Sequence, residues 1–172
     1  MPLELYIISK KNINCEIENI YFLKLNRSDS HLEIYKKVNE ECLRESYPIR
    51  EDFDISKHEL FALHKSMPCI YGGEGKRRTP QGFFNIEKVS SDEYISPYYP
   101  SRGQVKFFGY LVIFEDYFIH SDLYSVDANR TDFTEQKSIS LGDKDTSGCI
   151  RVSQPDLDWL VKNIPVGTMM EL

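Results

Sequence analysis

No apolar run in this 172-residue chain reaches the ~18 residues that cross a bilayer as a helix. Positive charge is in short supply: 21 Lys and Arg stand against 27 Asp and Glu, a net charge of −6. The broad basic face of a general nucleic-acid binder is therefore missing. Cys15, Cys42, Cys69 and Cys149 form no C-x-x-C pair and no Cys/His spacing of the zinc type, so no metal is expected. A chain this long builds a core without disulfides, although two bridges stay arithmetically open. No repeat or low-complexity segment is present. The N-terminus has no basic region ahead of its short apolar stretch, so no secretory signal is visible. Unconventional export, a trimmed leader and a cytoplasmic location remain open. Gly72-Gly73-Glu74-Gly75-Lys76-Arg77-Arg78 lacks the phosphate-loop spacing and reads as a solvated loop.

What is present, 41% hydrophobic and 28% charged residues, suits one globular domain. Leu3–Ser9 reads as a strand, and Asn14–Leu25 as a second. Leu32, Tyr35, Val38 and Cys42 recur at spacings of 3, 3 and 4, after Ser28-Asp29-Ser30. This predicts a capped helix over 31–45. His58–Lys65 fits helix or strand. Gln81–Ile86 alternates as a strand, and Ser90–Gly103, with two prolines, reads as surface loop. Tyr110–Phe114 and Tyr117–Ile119 flank Glu115-Asp116, the pattern of a β-hairpin. Ser121–Lys144 is polar and aperiodic. Ser153 caps a second helix over 153–164 with Pro155 in its first turn, and Met169–Leu172 closes the chain as a strand. The expected class is α+β, mostly β with two modest helices.

Cys149 follows Ser147 and Gly148, small residues that let successive N–H groups converge on one point. A nucleophile beside an oxyanion site is one reading; a buried structural cysteine is the other. His120 ends the best strand, where an imidazole is placed to act as a base or to cap an edge. His31, His58 and His64 have no such setting. Arg151 shares a side with Cys149 if the segment is extended. It can hold a carboxylate in a bidentate grip or pair with Asp156 or Asp158. Tyr94, Tyr98 and Tyr99 can stack on a ligand or cover core.

Three stretches in order carry a family resemblance. Thr79-Pro80-Gln81-Gly82-Phe83-Phe84-Asn85-Ile86 resembles T-P-x-G-x-F/Y-x-I. Ile119-His120-Ser121 is similar to I-H-G/S. Thr146-Ser147-Gly148-Cys149-Ile150-Arg151-Val152-Ser153 is similar to [S/T]-H-G-C-I-R-[M/L]-[S/N]. With the closing Ile164-Pro165-Val166-Gly167-Thr168 turn, residues 70–172 resemble the L,D-transpeptidase catalytic domain (YkuD-like) family.

The resemblance implies a β-sandwich of mixed sheet with a long loop before the catalytic cysteine. Residues 66–172 would be the catalytic core and residues 1–65 an extension packed on it, all within one domain. It implies attack on a peptidoglycan stem peptide after its third residue, loss of D-Ala, and a thioester resolved by an amine or by water. Cys149 would be the nucleophile and His120 its base, with Ser121 supporting the histidine. Gly148, Cys149 and the neighbouring Ser147 would lie at the oxyanion, and Arg151 on a substrate carboxylate. Carbapenem-type β-lactams would inhibit, and no cofactor is implied. The expected location is the periplasm or cell wall, with delivery as an effector one route there. Two departures stand out. Ser147 replaces the family's histidine, and 149 − 120 gives a separation of 29, longer than usual. A carboxypeptidase, or a non-catalytic wall- or protein-binding domain, are the alternative readings.

Overall fold

The computed structural model describes residues 5–9, 20–39, 41, 52–73, 78–98, 100, 103–129, 137–139, 146 and 148–172. Strands β1 (Leu5–Ser9), β2 (Tyr21–Asn26), β3 (His31–Lys37) and β4 (His58–Ile70) come first, then β5 (Phe83–Asn85), β6 (Lys88–Ile95) and β7 (Val105–Phe114). The short strands β8 (Tyr117–His120), β9 (Leu123–Ser125), β10 (Lys137–Ile139) and β11 (Ile150–Val152) follow. A 3-10 turn (Ile55–Lys57) precedes β4, and helix α1 (Gln154–Asn163) and β12 (Met169–Glu171) complete the described elements. Hydrogen bonding runs β10-β9-β7-β8-β11-β4-β3-β2-β12-β5, with β1 added to β4 and β6 to β7. The pairs β11·β8 and β12·β2 are parallel and the others antiparallel, so the sheet is mixed.

The 13-residue β4 joins two halves of this sheet. Its first part pairs with β1 and β3, and its end, Cys69 and Ile70, pairs with β11. The halves enclose one core. Leu25, Ile34, Met67, Leu111, Ile119 and Ile150 meet there with Leu157 and Leu160 of α1. Full burial of such a side chain contributes about 1.5–3 kcal/mol, so α1 is held mainly by this face. Its start is fixed by Ser153, whose hydroxyl accepts the Asp156 N–H, and by Pro155 in the first turn.

The hairpin at Glu115-Asp116 forms as the sequence predicts, with Glu115 at φ 44° in the turn. The open segment His58–Lys65 is strand, part of β4. Two expectations are corrected. The helix over 31–45 is strand β3 through Lys37, with helical backbone described only at Glu41; residues 40 and 42–45 lie outside the described set. The cause is burial on both faces: Leu32 and Ile34 enter the main core, while Tyr35 packs with Phe22 and Phe61 on the far side. A bulge between Ile34 and Tyr35 shifts the register further, so apolar spacings mimic a helix. Ser28-Asp29-Ser30 supplies a hairpin turn instead of a cap, with Ser30 at φ 55°. The second correction is Ser90–Gly103. Its first part is β6, paired along β7 and ending at Ile95.

β6 bulges at Ser91 and Asp92, which together face the single residue Gly109 of β7, where φ is +83°. A Cβ there would sit 3.4 Å from the Ser90 carbonyl oxygen and 3.5 Å from Val161 of α1. These are ordinary contact distances, so it is the positive φ, which L side chains rarely adopt, that calls for glycine here.

Candidate active site

The strand register assembles the site. In the parallel pair β11·β8, Ile150 lies opposite Ile119 and Arg151 opposite His120. Both isoleucines point into the core, so alternation turns Cys149, Arg151, Phe118 and His120 to the other side. There they line a cleft of about 250 Å³ with Tyr94, Phe107, Asp116 and Thr146. His120 and Cys149, 29 residues apart in sequence, share this wall.

His120 is only 5% exposed. Its ring lies against that of Phe107, with centroids 4.5 Å apart and 13° between planes. Its Nδ1 lies 2.6 Å from the Ser121 carbonyl oxygen. A carbonyl only accepts, so Nδ1 carries the proton and, in the neutral ring, Nε2 is the basic nitrogen. Cys149 is partly exposed, and its Sγ lies 3.6 Å from the Asp116 carbonyl oxygen in the hairpin turn. Burial pushes the Cys69 thiol up to about 12, which keeps that sulfur protonated. Arg151 is 4% exposed and adds a fixed positive charge to the cleft wall, a setting that favours a thiolate. The carboxylates once considered for Arg151 have other partners. Asp156 pairs with Lys65 at 3.3 Å and accepts from Ser153, and Asp158 accepts from Gln154.

The loop carrying the cysteine is pinned from both ends. Thr146 Oγ1 accepts the Gly148 N–H at 3.2 Å and donates to the Cys149 carbonyl. As the loop stands, the Gly148 N–H is thus committed to Thr146. The Gly148 carbonyl accepts from Thr79 Oγ1 at 2.8 Å, and Thr79 Oγ1 accepts from Gly72 N–H at 2.9 Å. Arg27, in the β2–β3 turn, donates to the carbonyls of Thr79 and Pro80. The threonine of the first motif therefore clamps the loop of the third across 69 residues of sequence. Thr79→Val keeps the shape but leaves two buried backbone groups unsatisfied. Chemical denaturation should show a loss of about 1–3 kcal/mol, whereas Thr79→Ser should stay near wild type.

Cys149, His120 and Arg151 meet in the cleft, Gly148 is buried in its loop, and Ser121 is buried behind His120. Ser147 lies outside the described residues, as do Tyr99 and residues 74–77 of the glycine-rich loop. Tyr98 is 71% exposed, while Tyr94 stacks on Phe107 at 4.8 Å in the cleft. His31, His58 and His64 do not line it. Tyr94, named in the sequence as a stacking candidate, lines the cleft, whereas Thr79, Thr146, Asp116 and the rings of Phe107 and Phe118 carry no local sequence signal for the site.

A cleft holding a thiol and a tautomerically fixed imidazole, on a mixed β-sandwich, defines the class of fold and site. Residues 52–172 match the L,D-transpeptidase catalytic domain family YkuD, and the chain belongs to it. Solved structures share the fold. L,D-transpeptidase 1 of Mycobacterium tuberculosis is 14% identical with a TM-score of 0.54, over 89% of this chain and 60% of that one. An L,D-transpeptidase from Stackebrandtia nassauensis is 10% identical with a TM-score of 0.54, over 95% and 60%. An LD transpeptidase in complex with imipenem is 13% identical with a TM-score of 0.55, over 97% and 81%. The chain spans 51–60% of the length of the first such structures. No curated protein matches it.

Proposed function

We propose that this protein is an L,D-transpeptidase that works through a thioester on Cys149. The observation that carries this reading is the shared cleft, with His120 Nδ1 committed to Ser121 so that Nε2 is the proton acceptor. The Cys149 proton passes to Nε2, and the thiolate attacks the carbonyl carbon after the third stem residue. The C–N bond to D-Ala breaks, and the imidazolium returns the proton to the leaving amine. An acceptor amine then attacks the thioester, giving its proton to His120 and releasing the thiolate. The Cys149 N–H stabilises the oxyanion, joined by Gly148 when Thr146 releases it. The family's second imidazole is replaced by Ser147 here, so any role it has is lost or falls to another group. Arg151 holds a carboxylate of the stem. Such a substrate places the protein's work at the cell wall, outside the cytoplasm.

The test is incubation with a disaccharide tetrapeptide ending in D-Ala, read by mass spectrometry. D-Ala release with cross-linked dimer is expected. Tripeptide alone assigns the second step to water, as in an L,D-carboxypeptidase. Absence of D-Ala release sinks the reading.

A further inference from the structure

We propose that Gln154 is a positioning residue that holds His120 in its reactive orientation by way of Ser121. The inference rests on the reading of His120 as the base for Cys149. Gln154 opens α1 and is buried. Its Nε2 donates to the Phe108 carbonyl and to Asp158 Oδ1, each at 2.9 Å, and its Oε1 accepts the Ser121 hydroxyl. The amide orientation is forced. A carbonyl and a carboxylate both require N–H groups, which leaves the oxygen for Ser121.

Ser121 is fully buried and is tied to both His120 and Gln154, with a further long contact of its hydroxyl to the Asp122 carbonyl at 3.5 Å. Its carbonyl holds His120 Nδ1, and its hydroxyl holds Gln154. Strand β8 ends at His120, so no ladder of strand bonds aims the Ser121 carbonyl. The tie to Gln154 supplies that aim. Gln154 itself is anchored to β7 where that strand faces the bulge of β6. There the register with β6 jumps from Ser90↔Tyr110 to Glu93↔Phe108, which presents the Phe108 carbonyl to the helix start. Asp122, Tyr124 and Asp158 surround the relay. The Tyr124 phenol is pushed up to about 12 by burial and then by Asp122, so it is neutral at neutral pH. On the cleft side, among the described residues, Arg151 and Asp116 are the charged groups that line the cleft with the thiol and the ring.

The experiment follows alkylation of Cys149 by iodoacetamide against pH, with the modified peptide read by mass spectrometry in the full chain. It compares wild type, Gln154→Ala, Ser121→Ala, the double variant and His120→Gln. A small displacement of a reacting group costs up to ~100-fold, and here each single variant should slow alkylation at neutral pH on the order of tenfold. Above about pH 9.5, where a free thiol ionises unaided, the rates should converge. The double variant should be no slower than the slower single one, because both changes cut one path. Rates of Gln154→Ala that superimpose on wild type, or single effects that multiply, overturn the proposal. If Gln154→Ala does not fold, Ser121→Ala decides, since it leaves the ties of Gln154 to Phe108 and Asp158 intact. If His120→Gln leaves the profile unchanged, the assignment of the base fails and the inference falls with it. If His120→Gln slows the reaction while both relay variants do not, only the inference fails.

Discussion

Cys149→Ala should abolish acylation while leaving the fold intact. With imipenem, wild-type protein should gain the mass of one drug molecule: the sulfur attacks the β-lactam carbonyl, the ring C–N bond opens, and no atom leaves. The alanine variant should gain nothing, and D-Ala release from a tetrapeptide should fall by on the order of 10⁴-fold or more, the scale seen when a catalytic nucleophile is removed. Stability should change by less than about 0.5 kcal/mol, because Cys149 is partly exposed and its thiol makes a long contact with the Asp116 carbonyl. Cys69 is the internal control. It is buried in the core between β11 and β3, and burial holds its thiol up at about 12. Cys69→Ala should lower stability and leave the mass gain in place. Mass gain retained in Cys149→Ala and lost in Cys69→Ala would transfer the nucleophile to the wrong sulfur for this scheme.

His120→Gln should lower turnover by roughly 10²–10⁴-fold, the range for loss of a general base. Glutamine is chosen over alanine because the imidazole fills space against Phe107, and a void there would add a cavity cost. The pH dependence carries the sign. With the imidazole in place, proton transfer within the cleft supplies thiolate at neutral pH. Without it, the thiol must ionise to water near ~8.5. The variant should therefore gain roughly 15-fold in rate between pH 7 and 8.5, where wild type changes less. A variant profile parallel to wild type would mean that the imidazole does not take the thiol proton.

Much of this arrangement is legible before any coordinates. The hairpin around Glu115-Asp116 shows because both strands are short, apolar and split by a polar pair. His120 is legible as a strand-end histidine, and Cys149 as a thiol after small residues. The parallel pairing that joins them is not. Strands of three and four residues carry no periodicity, and register between β8 and β11 is set by which isoleucines reach the core. β3 was misread because tertiary burial on two faces erased its period of two. The clamp from Thr79 to Gly148 and the tie from Gln154 to Ser121 leave no trace in local composition, since a buried hydroxyl or amide looks the same in sequence as a solvated one.

The family match begins at residue 52, yet the hydrogen-bonding order sets β3 and β2 between β4 and β12. A shortened chain starting at the match would lose two interior strands, expose the backbone edges of β4 and β12 to foreign chains, and strip Arg27 from the Thr79-Pro80 corner. Anyone trimming this protein for crystallisation, or grafting its catalytic half onto another carrier, has to take the hairpin of residues 21–37 along with it.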